Sequence, residues 1–320
     1  MSLKKKEKAA GTAVVKKRRN PFFHDVKVNY NLYLMILPAL LIVFFFRYKA
    51  MYGLVISFKD YDMLLGINGS EWVGFRHFIT FFNDPYCWRL IKNTVLLGLY
   101  NQLWGFWPPI VLAILMTELT SVKVMKSVQT ISYLPHFIPI VVIIGLMVEV
   151  MGPTGVVNNF MMNLGIIDSP MLFFNEPQYF RTLYIASGIW QGVGWGSIVY
   201  MAALTGADEQ LYEAAFLDGA NRFQRIWHIS IPAILPTVTI ILIMNVSQMV
   251  NVGYEKTYLM QTPATYDTSD IISTYIYRRG IRSQDFSFGT AIGFINSLVS
   301  LLLVLTTNKI VDKLNGTALF

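Results

Sequence analysis

Six stretches of this chain stay predominantly apolar for about twenty residues or more. They run from Leu32 to Phe58, Asn93 to Leu119, Ile131 to Met151, Phe180 to Thr205, Pro232 to Val252 and Phe286 to Asn308. Crossing a hydrocarbon core of about 30 Å takes roughly 20 helical residues, and a helix satisfies its own backbone there. With 54% hydrophobic and only 14% charged residues in 320 positions, the chain is too apolar for an ordinary soluble domain. The pattern predicts an all-α, polytopic membrane protein with six transmembrane helices.

The net charge of +7 is concentrated at one end. Lys4, Lys5, Lys6, Lys8, Lys16, Lys17, Arg18, Arg19 and Lys27 all precede the first span. Basic flanks are retained on the cytoplasmic side, so the N-terminus is expected inside, and six crossings return the C-terminus inside as well. This topological role is favoured over contact with anionic lipid, and nucleic acid is not an expected partner. The expected division is a basic cytoplasmic tail over 1–29, a transmembrane domain over 30–310 with a cytoplasmic loop at 206–231, and a cytoplasmic tail over 311–320. The first apolar run is too long for the core of a signal peptide and has no small-residue cleavage site after it. Cys87 is the only cysteine and the four histidines are scattered without an HExxH, so no metal or redox motif is expected.

Polar residues inside the spans are costly and therefore informative. Arg47 and Lys49 either snorkel or find a partner. Asn93, Asn101 and Gln102 should face protein or a cavity, and Pro108 with Pro109 should kink the second span. His136, among the prolines at 135 and 139, is expected to bond a carbonyl freed by them. Trp72, Phe75 and Phe78 fit either a sugar contact or an interfacial belt, the belt being favoured. In the fourth span Gln191, Gly192 and Trp195 place an amide, a gap and a flat ring on one helical face, which suits a polyhydroxylated ring. In the fifth, Asn245, Gln248 and Asn251 recur at three-residue steps with Met249 alongside. Such amides either bond across helices or line a wet path, and the path is preferred.

Between the fourth and fifth spans the chain reads EAAFLDGANRFQRIWHISIP, from Glu213 to Pro232. A helix is predicted over Asp208 to Leu217, stopped at Gly219, where glycine tolerates positive φ. An amphipathic piece should follow over Arg222 to His228, with Phe223, Ile226 and Trp227 toward the membrane and Arg222 and Arg225 toward water. Pro232 is expected to begin the next span. Glu213, Ala214, Ala215, Gly219, Ile229 and Pro232 match the EAA, three residues, G, nine residues, I, x, L, P spacing, with Ile231 in place of the Leu. The loop thus resembles the EAA loop of binding-protein-dependent ABC importer permeases. WVGFRHF at Trp72 to Phe78, IKNT at Ile91 to Thr94 and WQGVGW at Trp190 to Trp195 are similar to carbohydrate-type members, above all to those for complex oligosaccharides or polysaccharides.

The resemblance implies a type I ABC importer permease fold, multi-pass in the bacterial cell membrane. Glu213, Ala214, Ala215 and Gly219, with Asp218 and Arg222 beside them, would form the coupling helix that docks on an ATPase subunit. The sugar would be held by the helices on either side, which here carry Gln191, Gly192, Trp195, Asn245, Gln248 and Met249. Implied partners are two ABC ATPase subunits, a second and different permease, an extracellular solute-binding protein, membrane lipid and a sugar. No GxxxxGK[ST] loop occurs, so the chain is not expected to be an enzyme or to bind a cofactor itself; ATP and Mg would sit on the partner ATPase. The competing expectation is an ATP-independent secondary transporter or channel using Glu149, His136 or Arg47. Its usual marks, pseudo-symmetric halves or paired buried acids, are not found in the sequence.

Overall fold

A computed structural model describes residues 25, 26 and 28–315. Most of the basic tail expected over 1–29 lies outside the described residues, as do residues 316–320 of the expected C-terminal tail. The chain divides into two units at Leu54 and Val55. In the first, helix α1 (Tyr30–Val43) contains Pro38 and continues through a wider turn at Phe44–Tyr48. Arg47 and Lys49 are exposed there, with no carboxylate within 4.0 Å among the described residues.

The second unit opens with a two-residue hairpin, β1 (Lys59–Asp60) antiparallel to β2 (Glu71–Trp72), pairing Lys59 with Trp72. Its helices include α2 (Arg76–Phe82), α3 (Cys87–Gly105), α4 (Trp107–Thr117), α5 (Val122–Tyr133), α6 (Ile140–Val150), α7 (Val156–Asn163), α8 (Pro177–Thr205), α9 (Glu209–Leu217), α10 (Arg222–Arg225), α11 (Ile231–Ser247), α12 (Tyr254–Met260) and α13 (Phe286–Asn315), with single turns at Gly66–Gly69, Tyr266–Ser269 and Ile272–Tyr275. Phe58 stacks on Trp72 and meets Phe75, Phe78 and Phe294 of α13, and Phe78 also reaches Phe294, while Trp72 and Phe75 stay exposed at 62% and 67%.

Among the described residues, three helices are long and apolar enough to cross a membrane: Tyr30–Phe58, Arg222–Ser247 and Phe286–Lys313. A fourth is counted if the bent pair Val122–Phe137 and Ile140–Val150 is one span. The expected third span is therefore not a straight helix from Ile131; the chain turns by 98° at Ile138–Pro139. The expected second span is interrupted at Phe106. Pro108 and Pro109 donate nothing to the carbonyls of Trp104 and Gly105, which removes two helical bonds at that point.

Three apolar clusters hold the second unit together. Phe106, Ile110, Ala113 and Ile114 of the α3–α4 region meet Tyr200 and Leu204 of α8 and Ile234 of α11. Leu97, Ile144, Tyr184, Ile185, Val252, Met260 and Ile271 join α3, α6, α8 and the segment after α11. Phe81, Cys87, Leu90, Tyr275, Phe288 and Ile292 anchor α2 and α3 to α13. Burying such side chains is worth roughly 1.5 to 3 kcal/mol each in water, whereas inside lipid their value is close packing. Gly194 and Gly196 of α8 serve that packing: a side chain at 194 would collide with the Ser132 carbonyl, and one at 196 would press on Pro109.

Candidate functional site: an amide-lined cavity and an exposed helical loop

α3, α8 and the end of α11 enclose a cavity of about 320 Å³. Asn101 and Gln102 of α3, Gly188 and Gly192 of α8, and Asn245, Gln248 and Met249 are among its walls. The Gln102 Nε2 is buried without a hydrogen-bond partner, so one donor in the wall is left unsatisfied. An amide surface in an apolar bundle is suited to hydroxyl-rich ligands, because each amide both donates and accepts.

Of the residues expected on the substrate path, the fold brings Gly192, Asn245, Gln248 and Met249 to this cavity. Gln191 and Trp195 lie elsewhere on α8. Gln191 Nε2 donates to the Ile138 carbonyl at 3.1 Å, and Trp195 stacks on His136 at 4.5 Å with the ring planes 3° apart. The cavity face of α8 is set by Gly188, Ile189, Gly192 and Val193, and Gln191 and Trp195 project to its edge. The amide of Gln191 thus serves the Ile138 carbonyl at the bend, whereas the Pro135 carbonyl that Pro139 leaves open accepts from Ile138 N at 3.2 Å, and His136, expected to bond such a carbonyl, stacks on Trp195.

The amides of the fifth span also depart from a helical row. α11 ends at Ser247, and the next bonds run over three residues, from Gln248 N to the Asn245 carbonyl and from Asn251 N to the Gln248 carbonyl. Asn251 bonds across to α13: its Nδ2 donates to Ser300 Oγ at 3.0 Å, and its Oδ1 accepts from Asn296 at 2.6 Å. Asn93 is likewise structural, its Nδ2 serving the Asp267 and Asp270 carbonyls at 3.1 and 3.0 Å and its Oδ1 accepting from Arg181 at 2.9 Å. Asn101 and Gln102, expected to face protein or a cavity, line it, and Tyr184 in the lining and Lys256 beside Gly188 are residues that sequence reasoning did not connect with it. Two adjacent amides in an apolar span were the available signal; Lys256 lies in the short helix α12, whose partners only folding reveals.

The loop between α8 and α11 is helical as expected. Asp208 caps α9 by accepting from Gln210 N at 2.9 Å, and the chain reverses at Gly219 with φ +79°. Asn221 and Gln224 cap the next helix reciprocally at 2.9 and 2.8 Å. That helix does not stop before Pro232: Arg222–Ser247 is one continuous helical run through a wider turn at Ile226–Ser230. Glu213, Ala214, Asp218, Gly219 and Arg222 are exposed and Ala215 half-buried. Phe216, Leu217 and Phe223 are also exposed, at 68%, 85% and 77%. Arg225 is half-buried, with its guanidinium 5.9 Å from the centre of the Phe216 ring rather than directed to water. Tyr212 and Ser230 hydroxyls meet at 3.0 Å and tie α9 to the long helix.

A bundle with apolar crossing helices, an amide-lined cavity and an exposed helical loop attached to two of the cavity's helices defines a membrane transport subunit. Residues 109–316 match the model of the binding-protein-dependent transport system inner membrane component family. The chain belongs to that family, and is thus a permease of a binding-protein-dependent ABC importer in the cell membrane. It is 38% identical to Protein LplB of Bacillus subtilis (strain 168), over 90% of this chain and 91% of that protein. It is 37% identical to the polygalacturonan/rhamnogalacturonan transport system permease protein YteP of the same organism, over 95% and 94%. A chain of the bacterial alginate ABC transporter, solved in complex with an alginate pentasaccharide-bound periplasmic protein, superposes with a TM-score of 0.85 at 40% identity, covering 93% of this chain and 99% of that one.

Proposed function

We propose that this permease translocates an oligosaccharide through the amide-lined cavity, driven by a separate ATPase that docks on the α9–α10 loop. The observation that carries the proposal is mechanical: α8, which supplies Gly188 and Gly192, runs into the loop at one end, and the loop runs into α11, which supplies Asn245. Movement of the loop is therefore movement of the cavity walls. The names of YteP and of the alginate transporter support a saccharide substrate.

In this reading the chain makes six crossings with both termini inside, the crossings at 93–119 and 131–151 being bent ones. The domain spans 30–310, flanked by cytoplasmic tails. The assembly comprises two ATPase subunits, a second and different permease and an extracellular solute-binding protein, with ATP and Mg held by the ATPases. Glu213, Ala214, Ala215, Asp218, Gly219 and Arg222 meet the ATPase. Gly192, Asn245, Gln248 and Met249 line the path, and Gln191 and Trp195 hold the α8 edge of it. ATP binding and hydrolysis shift the two states through differential contacts at the loop.

Gly219→Val in the assembled complex tests the coupling. At φ +79° a branched side chain costs roughly 1 to 2 kcal/mol in an exposed turn. Assembly should persist while saccharide-stimulated ATP hydrolysis and uptake fall at least tenfold. Normal uptake would sink the coupling role. Asn245→Ala should lower uptake severalfold with coupling intact; failure of the complex to assemble would instead make Asn245 a packing residue.

A further inference from the structure

Arg76, Arg89, Arg278 and Arg279 each lie within 4.0 Å of a carboxylate, whereas Lys256, like Arg181 of α8, is a cation with no carboxylate within 4.0 Å among the described residues. Its Nζ donates to the Tyr184 carbonyl at 2.6 Å and stands 4.4 Å from the centre of the Tyr184 ring. An ammonium has three donors, so this one carbonyl leaves most of its capacity unused, and apart from the Tyr184 ring its charge has no counterpart among these contacts. Lys256 lies beyond the fifth apolar stretch, and burial lowers its pKa to about 8.

Two further observations connect that charge to the cavity. Tyr184 and Gly188, one turn apart on α8, both line it. A Cβ at Gly188 would lie 3.1 Å from Lys256 Nζ, so the missing side chain leaves an opening in the wall where the ammonium stands. The lining itself contains amides, glycines, apolar side chains and the Tyr184 phenol, and no carboxylate. The ionic field inside such a cavity comes from its nearest cation, undiminished by a paired anion.

We infer that Lys256, acting through the opening at Gly188, is the specificity-determining residue that makes this permease a carrier of anionic sugars, holding a uronate carboxylate against the wall at Tyr184. The inference rests on the saccharide reading above and narrows it to a charge class.

Equilibrium binding of trigalacturonate and of its methyl ester to the purified permease–ATPase complex, without the solute-binding protein, tests it. The two probes share size and hydroxyls and differ in charge. The acid should bind about tenfold more tightly than the ester, as a half-buried charge pair provides. Lys256→Met should bring the two affinities together by weakening the acid alone, and Lys256→Arg should keep the preference. Co-purification of the ATPase verifies assembly, and Lys256→Gln is a second neutral variant if the Met form does not assemble. Equal affinities in the wild-type complex, or a preference that survives in the neutral variant, overturn the inference while leaving the saccharide reading standing. Binding of neither probe, with no uptake of any oligosaccharide in the full system, overturns both.

Discussion

Two segments of this permease are similar in length and opposite in construction. The segment from Ala207 to Ser230 contains a nine-residue helix with no buried residue, and its chain path is held by caps and a glycine turn. The segment from Tyr254 to Asp285 is held by charge. Asp270, fully buried, accepts from the Arg278 Nη2 on both carboxylate oxygens at 2.7 and 2.8 Å, from Thr274 at 3.0 Å and from Arg89 of α3 at 3.4 Å. Asp84 accepts from Tyr275 and lies 3.3 Å from Arg279. The first segment keeps most of its apolar and charged groups outward for a partner; the second, Lys256 apart, spends most of its charged groups on internal ties. A surface that must dock and release is thus made from local structure, while a wall that must hold its place is cross-tied to distant helices.

The largest expected effect comes from breaking the second segment. Asp270→Ala leaves two arginines without their buried acceptor and should destabilise the solubilised complex by about 3 to 5 kcal/mol, seen as a large fall in its thermal midpoint. An unchanged midpoint would mean that the segment is not locked by its ion pairs. Next is Gln191→Ala, which removes the bond to the Ile138 carbonyl at the 98° bend and should cost about 1 kcal/mol, with saccharide affinity retained. A selective loss of affinity would return Gln191 to the path.

In the loop the effects on stability should be smaller and the effects on coupling larger. Asn221→Ala removes a capping box and should cost about 1 kcal/mol locally, lowering ATPase stimulation before it lowers the thermal midpoint. Phe223→Ala, at an exposed position, should stay within about 0.5 kcal/mol of the parent in stability. Its readout is weaker retention of the ATPase on co-purification; full retention would show that the apolar rim is not used in docking.

The loop was legible in the sequence because its devices are local. Asp208, Gly219, Asn221 and Gln224 act on neighbours no more than a few residues away, so spacing alone placed α9 and its stop. The cavity was legible only in part. Asn245 and Gly192 reach it, but Gln191 and Trp195, chosen by helical spacing, lie just off the face that neighbouring helices leave open. The pair Pro108 and Pro109 foretold the break between α3 and α4, whereas the 98° turn between α5 and α6 was not anticipated, since it depends on what each half packs against.

By itself the sequence determined an apolar helical bundle, the helical loop with its glycine reversal, and a resemblance to sugar-type importer permeases. These follow from hydropathy and from interactions between near neighbours. Tertiary structure decided which amides face the cavity, that Asn93 and Asn251 are structural, and that Lys256 stands without a paired carboxylate beside Gly188. Those outcomes join residues from separate segments, 177 positions apart in the bond from Asn93 Nδ2 to the Asp270 carbonyl. No periodicity within one segment encodes such a meeting; it exists only once the helices have packed.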